Sequence, residues 1–223
     1  MPRSEAPTRV EQLYAVLRAD ILAGRLRPSA RLQFTALSER YGASMGVARE
    51  ALARLAAEGL VEAVPRHGFR VVPISETDLR HLTEARVAIE SLVLRESVAH
   101  GGIEWESRVL AAHHRMARTP HTEPDDPERI SEQWAAAHRD YHAALLSGCP
   151  NPRLVGVAES LRAAAELYRR WSWPLGGQDR DVAGEHRKIL EAVLAHDPDA
   201  AVAALTAHIE QTTRVLLEHE DPD

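Results

Sequence analysis

Residues 35–73 read TALSERYGASMGVAREALARLAAEGLVEAVPRHGFRVVP, and the first half of this stretch predicts two helices joined by a tight turn. Thr35 can cap a short first helix, because its hydroxyl can accept a hydrogen bond from an unpaired backbone N–H. Gly42 suits the turn, since a residue without Cβ adopts left-handed backbone angles at no steric cost. Ser44 can cap the second helix, and Gly59 is typical of the residue just beyond a helix end.

A β-hairpin is predicted to follow these two helices. Leu60–Val64 and Phe69–Val72 are rich in apolar and β-branched residues, and Pro65–Gly68 supplies the turn between them. A further helix is predicted upstream at Arg9–Ala23, where an apolar stripe recurs every three to four residues and stops before Gly24. A helix-turn-helix followed by a hairpin is a winged-helix arrangement, in which a helix fits the DNA major groove and the hairpin tip reaches a neighbouring groove.

The second helix of this arrangement has two different faces. At 100° per residue, one face is apolar, whereas the other begins with small residues and has Arg49 projecting from it. Small residues let a helix lie deep in a groove, and an arginine can reach a guanine edge or a phosphate. An ordinary amphipathic helix with a solvated arginine gives the same pattern, so spacing alone leaves both interpretations open. The predicted DNA contacts are Ser44, Met45, Gly46 and Arg49 on the helix, and Arg66, His67 and Gly68 at the hairpin tip.

Charge is divided unevenly along the chain. The net charge of the 223 residues is −6 at pH 7, which at first disfavours a nucleic-acid partner. Residues 1–74, however, contain 11 arginines against 7 acidic residues, whereas residues 75–223 contain 16 basic against 26 acidic residues. This asymmetry predicts a basic, DNA-facing domain over residues 1–74 and an acidic partner domain over residues 75–223.

No segment of the sequence indicates a membrane protein or a secreted protein. No run approaches the ~18 apolar residues of a membrane-spanning helix, and the N-terminal MPRSEAPTRVEQ lacks the apolar core of a signal peptide. Cys149 is the single cysteine and cannot form an internal disulfide, which fits a reducing compartment. The expectation is a cytoplasmic protein without a membrane partner.

The second domain is predicted to be entirely helical. Periodic apolar positions, interrupted by glycine and proline, indicate six helices and no strand, and short links between them are typical of a compact bundle. The wing closes at Pro73 and the next helix starts at Ser75, so movement in the second domain is expected to reorient the first. The predicted helices span residues 76–100, 104–118, 127–148, 152–173, 178–196 and 198–220.

Four histidines of this bundle fall on apolar stripes. His138 and His142 lie four apart on one helix, and His186 and His208 occupy the stripes of two other helices. A lone histidine on an apolar face is ordinarily a hydrogen-bonded core residue. Four that converge bury imidazole nitrogens that need partners, and a divalent metal supplies such partners. The pattern indicates a candidate metal site, with ordinary core histidines as the alternative.

An arginine interrupts the apolar stripe of the first bundle helix. This residue is Arg86, and a buried guanidinium requires an anionic partner. The partner can be an internal carboxylate, such as Glu90 or Glu166. It can also be the carboxylate of a ligand, which an arginine binds through two parallel hydrogen bonds. The sequence leaves both assignments open.

Two parts of the chain resemble the domains of one family. Similarity to the DNA-binding domain of the GntR family of bacterial transcriptional regulators is carried by AGRLRPSARL, YGAS, REALARLAAEGLV and PRHGFRV. Similarity to the FCD effector domain of the FadR-type branch is carried by EARVAIE, HRDYHAALLSGCPNPRL, EHRKILEAVLAHDPDAAVAAL and AHIEQTT. The resemblance implies a homodimeric regulator that binds double-stranded operator DNA and responds to a small organic acid, commonly as a repressor.

The resemblance also implies roles for particular residues. In metal-binding members, three histidines and one acidic or amide residue hold the metal, and the matching positions here are His142, His186, His208 and, in fourth place, His138. A histidine in fourth place departs from the family pattern, and zinc or nickel is the divalent metal expected for an all-histidine site. The family's effector-binding arginine matches Arg86.

The DNA-binding segment departs from the family pattern at two places. Ser29 follows Pro28 where the family often has glycine, and Met45-Gly46-Val47 stand where it often has Arg-Thr-Pro. The second departure removes an arginine that would contact a base or a phosphate. The operator sequence of better-known members therefore does not transfer to this chain.

The expected protein is a ligand-responsive transcriptional regulator that is mainly α, with a winged helix followed by a six-helix, FCD-like bundle. A metal-dependent enzyme is the rival from another class, and it requires a general base beside an open metal position. Asp140 and Glu185 adjoin the histidines in sequence, but their helical phase is expected to turn them away. A regulator that senses the metal alone is the second alternative.

Overall fold

The computed structural model describes the greater part of the chain. The described residues are 7–22, 25–65, 67–73, 75–173 and 180–218, with the backbone alone described at Glu128. The predicted helix end at Gly24, the wing-tip residue Arg66 and the predicted break at Pro174–Gly177 lie outside these ranges. None of the described helices is long and apolar enough to cross a membrane.

The chain forms two compact units, which divide between Ser75 and Glu76. The described elements of the first unit are α1 (Arg9–Leu22), β1 (Arg31–Leu32), α2 (Phe34–Tyr41), α3 (Met45–Ala57), β2 (Val61–Val64) and β3 (Gly68–Val71). The strands form one antiparallel sheet in the order β1-β3-β2. This architecture confirms the predicted helix-turn-helix and hairpin. Strand β1 escapes prediction, because two residues are too few to show an alternating pattern.

Most of the glycine and capping roles predicted around the turn between α2 and α3 are present in the structure. Gly42 has a φ of 63° and Gly59, just after α3, has a φ of 71°, so both use the left-handed region that favours glycine. The Ser44 hydroxyl accepts a hydrogen bond from the backbone N–H of Val47, which confirms its capping role. The predicted cap at Thr35 is wrong, because α2 begins one residue earlier and Thr35 lies in its first turn.

A buried aspartate connects α1 to the end of α2. Asp20 is 5% exposed and accepts hydrogen bonds from Arg25 and from the Tyr41 hydroxyl, each at 2.6 Å. Burial and the hydrogen bond to the Asp20 carboxylate raise the pKa of Tyr41 to about 12, so the hydroxyl stays a donor at neutral pH. The contact anchors the residue that immediately precedes the turn.

The second unit is a helical bundle with one small hairpin among its described residues. Its described elements are α4 (Glu76–His100), α5 (Ile103–Arg118), β4 (Thr122–Glu123), β5 (Asp126–Ile130), α6 (Glu132–Leu146), α7 (Pro152–Ser172), α8 (Val182–Leu194) and α9 (Pro198–Glu218). These helices confirm the predicted fold class. The prediction of no strand is wrong, because β5 pairs with β4 where α6 was expected to begin. Ser131 caps α6 by accepting from the Trp134 N–H at 3.0 Å, and this cap sets the later start.

Two large side chains fix the position of α6 within the bundle. The Trp105 indole on α5 donates to the carbonyl of Ala144 at 2.9 Å, and the Tyr141 hydroxyl donates to the carbonyl of His186 at 3.0 Å. Trp105 is 2% exposed and Tyr141 is fully buried. Tyr141 therefore connects α6 to α8 at the level of the histidines, in the interior of the bundle.

Candidate functional site

The bundle brings together the four histidines that the sequence singles out. His138 and His142 come from α6, His186 from α8 and His208 from α9. All four side chains are buried, and one ring nitrogen from each lies within 4.8 Å of those of the other three. Hereafter these residues are called the histidine cluster. The predicted convergence of three helices on one interior point is therefore present.

The spacing within the histidine cluster suits a metal ion. Nε2 of His142 lies 3.3 Å from Nε2 of His186. A tetrahedral zinc site with Zn–N distances of ~2.0–2.1 Å has N···N edges of roughly 3.3 Å. One pair of nitrogens thus stands at the edge length of a tetrahedral site, which is also the length of a hydrogen bond between the two rings, and all four donor nitrogens lie within 4.8 Å of one another. The residues present fit a divalent metal that prefers imidazole.

Burial keeps the histidine cluster uncharged. Desolvation lowers the pKa of His138, His142 and His186 well below the ordinary value, and nearby positive groups lower it further. The pKa of His208 is lowered to about 4, chiefly by burial, although Glu185 opposes the shift. Neutral imidazole is the form that binds a metal, because a ring lone pair is available. The cluster therefore presents ring lone pairs at neutral pH without first losing protons.

A carboxylate that was expected to point away reaches the histidine cluster. Oε2 of Glu185 lies 2.7 Å from Nδ1 of His208, so the prediction that helical phase turns Glu185 outward is wrong. The long side chain of Glu185 reaches across to α9, and Arg180 holds it in place through paired hydrogen bonds. Burial opposes the charge of Glu185, but the hydrogen bonds from His208 and Arg180 outweigh burial and lower its pKa to about 2. A carboxylate at this distance favours the tautomer with the proton on Nδ1 of His208, which leaves the ring lone pair on Nε2.

A cavity of about 260 Å³ opens beside the histidine cluster. His138, His142 and His208 form part of its wall, and Arg86 lies in the wall as well. Asp140 borders the cavity but is exposed, as its helical phase predicts. Other charged groups of the wall are Arg139, Glu159, Arg162, Glu166 and Arg169. The cavity is smaller than the ~300–1,000 Å³ usual for drug-sized ligands, so it suits a small molecule.

Arg86 has an internal partner as well as a place in the cavity wall. Its Nε donates to Oε1 of Glu90 at 2.6 Å, and Glu90 is completely buried. This pair uses one of the two internal carboxylates that the sequence offered. The other, Glu166, instead accepts hydrogen bonds from Arg169 and Arg170; burial raises its pKa, but the charges of these arginines outweigh burial and lower it to about 2. Glu90 accepts hydrogen bonds from Nε and Nη2 of Arg86. A ligand role for the rest of the guanidinium stays a prediction.

Arg162 of the cavity wall escapes prediction from the sequence. It lies four residues after the buried Ala158 and three before the buried Ala165, so it falls on the inner stripe of α7. The same signal singled out Arg86 on α4. Arginine is common in this chain. A single arginine on an apolar stripe is therefore difficult to recognise from the sequence.

The predicted DNA contacts lie on an exposed surface of the first unit. Ser44, Met45, Gly46 and Arg49 are all exposed at the start of α3, and Met45 is 62% exposed. His67 is also exposed, and Gly68 is half-buried with a φ of 84° that favours glycine at the wing tip. These are the positions at which a recognition helix and a wing present side chains to DNA.

Arg49, the arginine predicted to contact DNA, packs against an aromatic pair. The guanidinium carbon of Arg49 lies 5.7 Å from the centre of the Phe34 ring, in a cation–π contact. Phe34 in turn packs edge-on against Phe69 of β3, with ring centres 6.4 Å apart. The wing strand and α2 therefore restrict the directions in which Arg49 can extend.

Comparison with known sequences assigns the family. Residues 9–71 match the bacterial regulatory proteins of the gntR family, and residues 81–211 match the FCD domain. The chain belongs to the GntR family of bacterial regulatory proteins, in the group that carries an FCD domain. The uncharacterized HTH-type transcriptional regulator BphR of Paraburkholderia xenovorans is 36% identical over 216 residues, which cover 97% of this chain and 88% of BphR. The HTH-type transcriptional repressor GlaR of Escherichia coli is 32% identical over 200 residues, which cover 88% of this chain and 90% of GlaR.

Solved structures share the fold. A GntR transcriptional regulator from Rhodococcus sp. RHA1 superposes with a TM-score of 0.70 at 21% identity, over 96% of this chain and all of that one. McbR/YncC of E. coli gives a TM-score of 0.68 at 19% identity, over 97% of this chain and all of that one. Family and relatives together identify the protein as a DNA-binding transcriptional regulator and not as an enzyme.

Burial of the histidine cluster predicts a pH-dependent stability of the metal-free protein. The folded-state pKa values lie below the unfolded value of ~6.5, so between these values the unfolded chain binds more protons. The free energy of unfolding should therefore be highest above pH ~6.5 and should fall as the pH decreases towards ~4. Each imidazole contributes up to about 1.4 kcal/mol per pH unit in that window.

The measurement is chemical denaturation at a series of pH values. His208→Gln should flatten the slope between pH ~6.5 and ~5, whereas His100→Gln, at an exposed histidine of α4, should leave it unchanged. A slope that His208→Gln does not alter would show that this histidine does not carry the effect.

Proposed function

We propose that this DNA-binding regulator is a homodimeric repressor whose FCD domain holds a divalent metal and a small carboxylic acid that modulates operator binding. The histidine cluster carries the proposal, because it opens onto a cavity whose wall includes Arg86. Four neutral imidazoles give a bound metal no compensating negative charge. An anionic ligand in the adjacent cavity would supply that charge.

The names of two relatives support repression, and a two-fold dimer is the assembly that we propose for operator binding. A two-fold dimer would present two equivalent copies of α3 to two half-sites of a pseudo-palindromic operator. GlaR is named a repressor, and a 28% identical relative from Paenarthrobacter nicotinovorans is named a probable repressor of a D-xylose utilization operon. These names support repression as the mode of action proposed here.

Each member of the histidine cluster would supply one donor atom to the metal. His138, His142, His186 and His208 would hold zinc or nickel, and Glu185 would fix the ring of His208 from behind. A bound divalent metal would supply a localised positive charge that attracts a carboxylate. The chain itself supplies the cavity and the guanidinium donors of Arg86 that Glu90 does not occupy.

The first test concerns the operator. Arg49→Ala should weaken operator binding by about 1–3 kcal/mol per half-site, because it removes an exposed, aromatic-supported guanidinium from α3. Arg54→Ala is the matched control, since Arg54 is exposed on another face of the same helix and pairs with Glu50. Fluorescence anisotropy on a duplex selected from a random pool measures both variants. Equal affinities of Arg49→Ala and the parent would remove Arg49 from the interface.

The second test concerns the metal. Purified protein should contain about one divalent metal per chain by elemental and native mass spectrometry. His186→Ala should lose the metal together with the stability that it adds, about 2.7 kcal/mol when free metal is present at ~100 times its Kd. His100→Ala, at an exposed site, should keep both. A metal-free parent whose melting is unchanged by added zinc or nickel would leave the four histidines as core residues.

The third test connects ligand and operator. Small carboxylic acids are titrated into the parent, Arg86→Gln and metal-stripped protein, and operator affinity is measured each time. An effective acid should release the parent from DNA and should have little effect on the other two. Arg80→Gln is the control, because Arg80 is exposed on the same helix and pairs with Glu76. An acid that acts equally on all three proteins would place the effector elsewhere, and metal acting alone would indicate a metal sensor.

A further inference from the structure

The start of α3 exposes a large apolar side chain. Met45 is 62% exposed, and the other large apolar side chain that is exposed among the described residues of the first unit is Val16. A single exposed apolar residue is ordinary on a protein surface, so the position of Met45 matters more than its exposure. Met45 is the first residue of α3, the helix that is predicted to enter the major groove.

The stability of α3 does not account for Met45. Ser44 already caps the helix, and the first turn contains no acidic residue that would interact favourably with the positive end of the helix dipole. The exposed start of α3 therefore combines a partial positive charge with an apolar side chain. The phosphates of DNA attract the first, whereas the second requires an apolar group as its partner.

Gly46 follows Met45, and the backbone does not require a glycine there. Its φ lies outside the left-handed region, and an added Cβ would meet no atom of the surrounding protein within 4 Å. Glycine within a helix is less favourable than alanine, because it loses more conformational freedom on folding. The fold therefore gains nothing from this glycine, whereas the missing side chain lets another molecule approach the helix closely.

Met45 and Arg49 share the exposed face of α3, one helical turn apart. Residues at this spacing have Cβ atoms roughly 5–6 Å apart, and successive bases along a DNA strand are ~3.4 Å apart. Arg49 packs against the Phe34 ring, which restricts the directions in which it can extend. With Arg49 on a base or a phosphate, Met45 would lie within about two base pairs of that contact.

We infer that Met45 reads a thymine in each half-site of the operator, through contact with the 5-methyl group, and that Gly46 provides the close approach which this contact requires. The inference rests on the proposed operator binding through α3. The thymine methyl is the apolar group that base pairs present in the major groove. The side chain of methionine is unbranched and polarisable, so it adapts to a small apolar partner.

The first experiment removes the methyl group from the DNA. Each thymine of the selected operator is replaced in turn by deoxyuridine in both half-sites, and fluorescence anisotropy measures the affinity. Deoxyuridine keeps the hydrogen-bonding groups of thymine and lacks only the methyl group. One replacement should weaken binding of the parent about fourfold per half-site, which corresponds to ~0.8 kcal/mol for one buried methyl-sized group. Met45→Ala should bind the original and the replaced duplex equally.

Two variants separate recognition by Met45 from a general effect on the domain. Met45→Leu keeps an apolar side chain, so it should retain part of the discrimination between thymine and deoxyuridine. Val16→Ala shortens the other exposed apolar side chain and should discriminate as the parent does. A double-mutant cycle between Met45→Ala and the deoxyuridine replacement isolates the contact from changes in DNA shape or helix stability.

Gly46→Ala tests the close approach. The added methyl group has space in the free protein and alanine favours a helix, so the melting temperature should stay the same or rise. Operator binding should nevertheless weaken about tenfold per half-site, because the methyl group occupies space that the DNA needs. An affinity equal to that of the parent would overturn the role of Gly46.

Three further results would contradict the inference at different points. An operator in which no thymine methyl affects binding of the parent would overturn thymine reading, and Arg49→Ala would still report whether α3 contacts DNA. A deoxyuridine effect that persists in Met45→Ala would assign the methyl contact to another residue. Binding equal to that of the parent by Met45→Ala, Gly46→Ala and Arg49→Ala together would overturn the inference along with α3 as the recognition helix.

Discussion

The second unit is organised around the burial of four imidazoles at one point. Each ring nitrogen removed from water requires a partner, and leaving it without one destabilises the fold. Tyr141 donates to the carbonyl of His186, and Glu185 holds His208, so α6, α8 and α9 are connected at the same level as the rings. Apolar packing and hydrogen bonds therefore both fix the relative positions of these three helices. A metal would complete a set of contacts that the bundle has already arranged.

The charges around this point follow one rule, which is that nearly every buried charge has an opposite partner. The pairs are Arg86 with Glu90, Arg170 with Glu132 and Glu166, and Arg180 with Glu185. Pairing of this kind stabilises buried charges, and an arginine paired through one side of its guanidinium keeps its other N–H donors for a further acceptor.

The first unit differs in that the predicted DNA contacts at the start of α3 are exposed. Ser44 caps α3, and Gly42 allows the chain to turn, so the exposed start of α3 is determined by local backbone chemistry. Phe34 and Phe69 supply apolar support beneath Arg49. A guanidinium whose directions are restricted loses less conformational entropy when it binds DNA.

The sequence by itself determined where the helices lie and which residues turn inward, because apolar periodicity follows the direction of each Cβ atom. It placed the histidine cluster on inner faces, but it missed the hairpin before α6, whose short polar strands have no apolar alternation to detect. Only the tertiary structure decided which charged side chains meet. Glu185 reaches His208 although its helical phase directs it away, and Arg86 pairs with Glu90. The partner of a long side chain depends on the register between neighbouring helices, which the periodicity of a single helix does not contain.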